Sequence, residues 1–278
     1  MDETQFAEWI GRKSESVDIV TPRLAASYRA IFGDRLAPVG ADEAPLGIHW
    51  CLSPAIAPME ALGPDGHPAK NRDLPPIPQP RRMWAGGSLE TLAPIRVGDT
   101  VTRISTIGSI TRKEGRSGEL WFVAVHHDYV TPRGTAIRER HDIVYREAAK
   151  PGTARTTAPE PAPAAEPVEG EWLVETPSTL LFRYSAITFN GHRIHYDLPY
   201  VTGVEGYAGL VVHGPIQATL LLNFATASLG RVPERFSYRG VAPAIAGSPV
   251  RERKTPDTEA GFRTESVSGT VHMEATAG

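Results

Sequence analysis

The chain has a single cysteine, Cys51, in 278 residues. One thiol can close no internal disulfide and provides no cysteine cage for zinc, and it suits a reducing compartment. No run of about 18 apolar residues is present, so no segment reads as a membrane-spanning helix. Met1 to Ile10 has neither the basic and apolar stretches of a secretory leader nor the Arg-rich, acid-poor character of a transit peptide, and a cytoplasmic protein is expected. Excess positive charge is missing as well. With 29 Lys and Arg against 32 Asp and Glu, the net charge of −3 exerts no general pull on nucleic acid. An anionic ligand must therefore be met by a local basic patch. What remains is an ordinary globular composition, 41% hydrophobic and 22% charged. The length suffices for one large domain or two of usual size.

Glu147 to Glu169 is rich in Pro, Ala and Thr and almost empty of large apolar side chains. Such a stretch builds no core and reads as a linker. It divides the chain into 1–147, a linker over 148–170, and 171–278. The two parts resemble each other. At an offset of 156 residues, Tyr28, Ala30 and Ile31 fall on Tyr184, Ala186 and Ile187, and Asp34 falls on Asn190. At an offset of 149, Pro94, Gly98 and Val101 fall on Pro243, Gly247 and Val250. Two segments rich in Pro, Ala and Gly can match by chance. The shared order (helix-like segment, apolar segment, then a Pro-x-x-x-Gly strand entry) favours a duplication.

Within the second part, Thr179 to Thr188 reads as a short buried helix and Asn190 to Tyr207 as a loop with functional side chains. Pro215 to Leu229 carries no charge, with Pro215 suited to a first helical position and Gly230 to the residue past the end. A helix apolar on nearly all sides must be buried on most of them. At about 1.5 Å per residue it is long enough to cross a curved sheet. Val267 to Thr276 alternates strictly, as a half-exposed strand does. Thr100 to Ile110 and Glu119 to Tyr129 give strand signals in the first part. The expected class is α+β, a curved antiparallel sheet around a central helix, made twice.

Chemistry-bearing residues concentrate in Phe189-Asn-Gly-His-Arg-Ile-His-Tyr-Asp197 and in Gly206 to Pro215, which ends His213-Gly214-Pro215. With these clusters the sequence resembles the MaoC-like hydratases and dehydratases of the hot-dog fold. The likeness is strongest to the double hot-dog branch that contains the hydratases of 3-methylfumaryl-CoA (mesaconyl-CoA) and itaconyl-CoA and the mitochondrial 3-hydroxyacyl-thioester dehydratases. It extends through Arg81-Arg-Met-Trp-Ala-Gly-Gly87, Gly115-Arg-Ser-Gly118 and Asp142-Ile-Val-Tyr-Arg-Glu147. The resemblance implies a double hot-dog with one working site, in the second half, acting on an acyl-CoA and needing no cofactor beyond the CoA of its substrate. A short, branched, dicarboxylic acyl-CoA such as 3-methylfumaryl-CoA is the substrate it implies. The general family places an Asp five residues before a His. Here the pair is Asn190 and His195, and in the first half Asp34 is followed at that spacing by Val39.

Hydration of a conjugated thioester needs a base for water, a donor for the thioester oxygen and a proton for the α-carbon. His195 suits the proton work, its ordinary pKa being about 6.5. Asn190 can orient water through its amide, or simply turn the chain. Gly214 offers a helix N-terminal N–H that a ligand can approach closely. Asp197 is either a base or a loop anchor. Arg81 and Arg82 are forked cations that could hold CoA phosphates, with Trp84 beside them, or could be solvated at the surface. His192, His195 and His213 could be read as a metal triad, but no metal is expected. The resemblance leaves dehydration, thioester hydrolysis and silent acyl-CoA binding as rival activities. No nucleic-acid or membrane partner is expected, and a homodimer is left open.

Overall fold

The computed structural model describes residues 5–70, 73–115, 118–147, 166, 168–256, 258 and 260–278. In the first half, strand β1 (Lys13–Ile19) and helix α1 (Pro22–Phe32) precede β2 (Arg81–Thr91), β3 (Thr100–Gly115), β4 (Gly118–Thr131) and β5 (Gly134–Arg146). The second half holds β6 (Trp172–Val174), α2 (Ser178–Thr188), α3 (Leu198–Gly203), α4 (Gly214–Leu229), β7 (Arg235–Gly240), β8 (Val250–Lys254), β9 (Gly261–Ser266) and β10 (Val271–Ala277). All ten strands form one sheet in the order β1-β3-β4-β5-β2-β7-β10-β9-β8-β6. Each half contributes five consecutive places. They meet where β2 runs antiparallel to β7, from Gly86 opposite Arg239 to Glu90 opposite Arg235.

The internal repeat is visible in the backbone. Helices α1 and α2 begin and end at the same offset of 156 that aligned their sequences. Tyr28 and Tyr184 are both buried, and Phe32 bridges them, tilted on Tyr28 and edge-on to Tyr184. Gly98 and Gly247 share a left-handed φ of 95° and 93° in the turns entering β3 and β8.

Helix α4 is buried over Ile216 to Thr226. Ile216 and Leu220 pack with α1 and α2, whereas Leu221, Leu222 and Phe224 pack on Leu89, Phe236, Phe262 and Met273 of the sheet. Its polar side chains tie it to the first half. Thr219 Oγ1 lies 3.0 Å from the Tyr28 hydroxyl, and Asn223 accepts the Ala37 N–H at 2.9 Å and donates to the Leu46 carbonyl at 3.3 Å.

No helix among the described residues of the first half matches α4. Among its described residues, the stretch in the equivalent place has only single 3-10 turns, at Ile48–Cys51 and Met59–Ala61. Nine prolines between Pro45 and Pro80 explain this, since each removes a helix donor and restricts the residue before it. Two smaller departures concern the second half. Residues 267–270 form the β9–β10 turn rather than strand, with Gly269 at φ 90°. The loop after Asn190 contains a 3-10 turn at Arg193–His195 and helix α3. The expected linker lies for the most part outside the described residues.

Removing the Asn223 amide would leave the buried Ala37 N–H without a partner, which costs roughly 1–3 kcal/mol. Asn223→Ala is therefore expected to lower the urea unfolding midpoint at unchanged slope. An unaltered midpoint would remove this bond from the link between the halves.

Candidate active site

Helix α2 ends with Phe189 in the left-handed region, φ 49°, which turns the chain into Asn190. Asn190 Oδ1 accepts the His192 N–H at 2.9 Å, a local Asx-type turn. Asp197 Oδ2 accepts from both Nε and Nη2 of Arg193, at 2.9 and 2.8 Å, while Oδ1 caps α3 through the Tyr200 N–H at 3.1 Å. These two side chains shape the loop that presents His195.

The His195 ring is buried, and its Nδ1 lies 2.7 Å from the Val211 carbonyl. A carbonyl only accepts, so Nδ1 carries the proton and Nε2 keeps its lone pair. The ring stacks on His213, with centroids 3.5 Å apart and planes 15° apart. His213 immediately precedes α4, and its Nε2 lies 2.9 Å from Ser185 Oγ. His195 is thus brought beside the N-terminus of α4, where Gly214 has no intrahelical acceptor for its N–H. A side chain on Gly214 would meet Trp84, whose Cε3 would be 2.4 Å from the added Cβ. The glycine therefore makes room for an indole, where the close approach of a ligand had been expected.

The first half, expected to supply the facing wall and the substrate channel, contributes here residues that the sequence reading did not single out. The Asp65 carbonyl accepts the Arg193 N–H at 2.9 Å, and the Pro64 carbonyl accepts from Arg193 Nη1 at 3.0 Å. Gly66, at φ 85°, comes so close to Gly191 that an added Cβ would lie 2.0 Å from its carbonyl oxygen. This contact sets the His67 ring 4.0 Å from that of His192, with His67 Nδ1 3.0 Å from Asp65 Oδ2. The turn-forming Pro64-Asp-Gly-His-Pro68 was the available signal.

Three comparisons bear on this arrangement. The model of the family described as "Hydroxyacyl-thioester dehydratase type 2" matches residues 47–246. The chain belongs to that family. A mesaconyl-C(4)-CoA hydratase of Chloroflexus aurantiacus is 38% identical over 92% of this chain and 91% of its own. The solved structure of HtdX from Mycobacterium tuberculosis covers 95% of this chain and 98% of its own, at a TM-score of 0.65 and 17% identity. A second M. tuberculosis protein, described as having a double hotdog fold, covers 96% of each chain at a TM-score of 0.52 and 17% identity. The likeness to these two structures supports the expected double hot-dog fold.

Within this member of the dehydratase family, several expected site residues need revising. The amide oxygen of Asn190 is engaged by the His192 N–H, while its NH₂ has no partner among the described residues of the loop. Asp197 has both oxygens occupied and serves as a loop anchor. Arg81 is not free for phosphate. Its Nε pairs with Glu205 Oε2 at 2.8 Å in a largely buried ion pair, and Nη2 donates to the Glu205 carbonyl. Trp84 stacks on Tyr238, centroids 4.8 Å apart, and meets Trp50 edge-on. Arg116 and Ser117 of the Gly115–Gly118 motif lie outside the described residues. Asp34 is exposed and faces Arg35. Among the described residues, the triad of His192, His195 and His213 considered from sequence is not among the groups whose donor atoms converge as a metal site would need, and His195 Nδ1 and His213 Nε2 face Val211 and Ser185. Asp65, His67 and His192 do bring donor atoms within 4.8 Å of one another. The charge of Arg82, which lowers both of these histidines, opposes a cation there.

Burial strips water from the imidazolium form and pushes His195 down to about 3, against the opposing pull of the Val211 carbonyl. His192 falls to about 2 and His49 and His141 to about 3 for the same reason, and His67 and His213 shift in the same direction. The folded state keeps these rings neutral while the unfolded chain titrates near 6.5. Their stabilising contribution is complete above that pH and is lost as pH falls, by up to about 1.4 kcal/mol per pH unit for each ring. The melting temperature is expected to drop steeply between pH 7 and 5. A flat profile would mean that the rings are protonated in the fold.

Proposed function

We propose that this chain reversibly adds water across the double bond of an α,β-unsaturated acyl-CoA, with 3-methylfumaryl-CoA as its substrate. The observation that carries this reading is the neutral His195, its Nε2 unprotonated, stacked against His213 at the N-cap of α4. The thioester carbonyl oxygen accepts the Gly214 N–H, where the helix dipole favours negative charge. Nε2 takes a proton from water as the oxygen attacks the β-carbon. Electron density moves through the α-carbon onto the thioester oxygen. The imidazolium then returns the same proton to the α-carbon, so one water provides both the hydroxyl and the hydrogen. The NH₂ of Asn190 steadies the water. The opposite direction is dehydration of a 3-hydroxyacyl-CoA.

Both walls of the site come from one chain, and the chemistry calls for no group beyond the CoA of the substrate. The identity to a named mesaconyl-C(4)-CoA hydratase over nearly the whole of both chains supports the choice of substrate. Thioester hydrolysis or silent binding is separated by the product. Incubation with mesaconyl-CoA is expected to give a thioester heavier by one water. Release of free CoA would overturn the reading in favour of a thioesterase, and unchanged ligand in favour of a binder.

His195→Ala is expected to lower kcat/KM by roughly 10²–10⁴-fold with the fold intact, the usual worth of a general base. Wild-type rates in that variant would take His195 out of the mechanism. Asn190→Asp keeps an acceptor for the His192 N–H and is expected to retain measurable hydration. Complete loss with unchanged substrate affinity would show that the amide itself is required.

A further inference from the structure

Arg81 and Arg82 are adjacent in sequence and differ in company. Arg81 is closed into its ion pair with Glu205. Arg82 is only partly exposed, yet among the described residues no carboxylate pairs with it. A guanidinium withdrawn from water without a counter-ion is unfavourable unless a ligand supplies the charge. The carboxylates felt at the neighbouring His67 are already engaged, Asp65 by the His67 ring and Glu205 by Arg81.

Its place on the strand matters as much as its lack of a carboxylate partner, the neutral Tyr145 hydroxyl being the group beside it. Arg82 stands two residues before Trp84 on β2, opposite Tyr145 of β5, and the irregularity in β2 begins only after Trp84. Alternation along a strand therefore puts both side chains on one face, about 7 Å apart. Trp84 covers Gly214, while the charge of Arg82 reaches His67, His192 and His141. Ring contacts run from the His213–His195 stack through His192 to His67, and the charge of Arg82 is felt at the last two.

We propose that Arg82 anchors a carboxylate borne on the β-carbon of the acyl chain and so selects dicarboxylic over neutral unsaturated thioesters. This rests on the hydratase reading for the placement of the thioester at Gly214. With the carbonyl oxygen there and the β-carbon beneath His195, a carboxyl on that carbon lies three bonds beyond the thioester carbon, toward His192 and Arg82. The guanidinium fork matches a carboxylate with two parallel hydrogen bonds. The phosphates of CoA offer the same chemistry to an arginine, but they sit a whole pantetheine arm from the reacting carbons, whereas Arg82 lies among the histidines. A carboxylate held beside the β-carbon also fixes which face of the double bond meets the water.

Two measurements on wild type, Arg82→Gln and Arg82→Lys test this, each after a melting curve shows that the variants are folded. In the first, the ratio of kcat/KM for mesaconyl-CoA over crotonyl-CoA is expected to fall about 100-fold in Arg82→Gln, with Arg82→Lys between the two. An unchanged ratio overturns the proposal, and parallel loss on both substrates assigns Arg82 to the CoA moiety. In the second, calorimetry compares succinyl-CoA with butyryl-CoA, saturated chains that differ in carboxylate against methyl. Wild type is expected to bind succinyl-CoA at least about tenfold more tightly, and Arg82→Gln to erase the difference. Equal affinities in wild type overturn the proposal. This arm needs no turnover, so a chain that hydrates nothing refutes the hydratase reading while the role of Arg82 is still decided.

Discussion

Helix α4 carries no charged residue, so it must be covered on every side, and covering it takes both halves of the chain. The sheet of the second half lies along one flank. The paired helices α1 and α2 close another. The buried amide of Asn223 holds the irregular stretch of the first half against it. Once α4 is fixed in this way, its N-terminus is fixed too. The His213–Gly214 step, the stacked His195 and the overlying Trp84 then follow from the position of one helix end.

Much of this was legible in the sequence because it rests on local rules. An uncharged segment framed by Pro215 and Gly230 reads as a buried helix, and α4 runs over Gly214–Leu229. Thr, Ile and Val content marked β3, and alternation marked β4. The matched Tyr28 and Tyr184 announced α1 and α2 as counterparts, and both rings lie in one core. The Asn-x-His-x-x-His motif led to the loop that presents His195, since a motif of this kind is a statement about a single short loop.

What escaped was non-local. The Asp65–His67 turn is more than a hundred residues from His192, and nothing in a proline-rich stretch says which distant loop it will touch. The contact depends on the mutual approach of Gly66 and Gly191, two residues with no side chains to signal it. Arg81 and Arg82 are indistinguishable as letters and are separated only by Glu205, which arrives from the end of α3. Asn190 carried the family's position without its chemistry. Whether its oxygen meets water or backbone is decided by the geometry of the turn at His192. The missing central helix of the first half was written in its prolines, but the symmetry of the repeat argued more loudly for a second copy.

The two outermost strands of the sheet have a consequence of their own. One margin is β1, whose Lys13, Glu15 and Asp18 punctuate a seven-residue strand, with Asp18 Oδ1 taking up the Ile19 N–H at 2.7 Å. The other is β6, only three residues long. Charge on one border and brevity on the other leave little template for a foreign strand. The halves hide one edge of each against the other at the β2–β7 seam, so among the described residues the joined sheet presents only these two guarded borders.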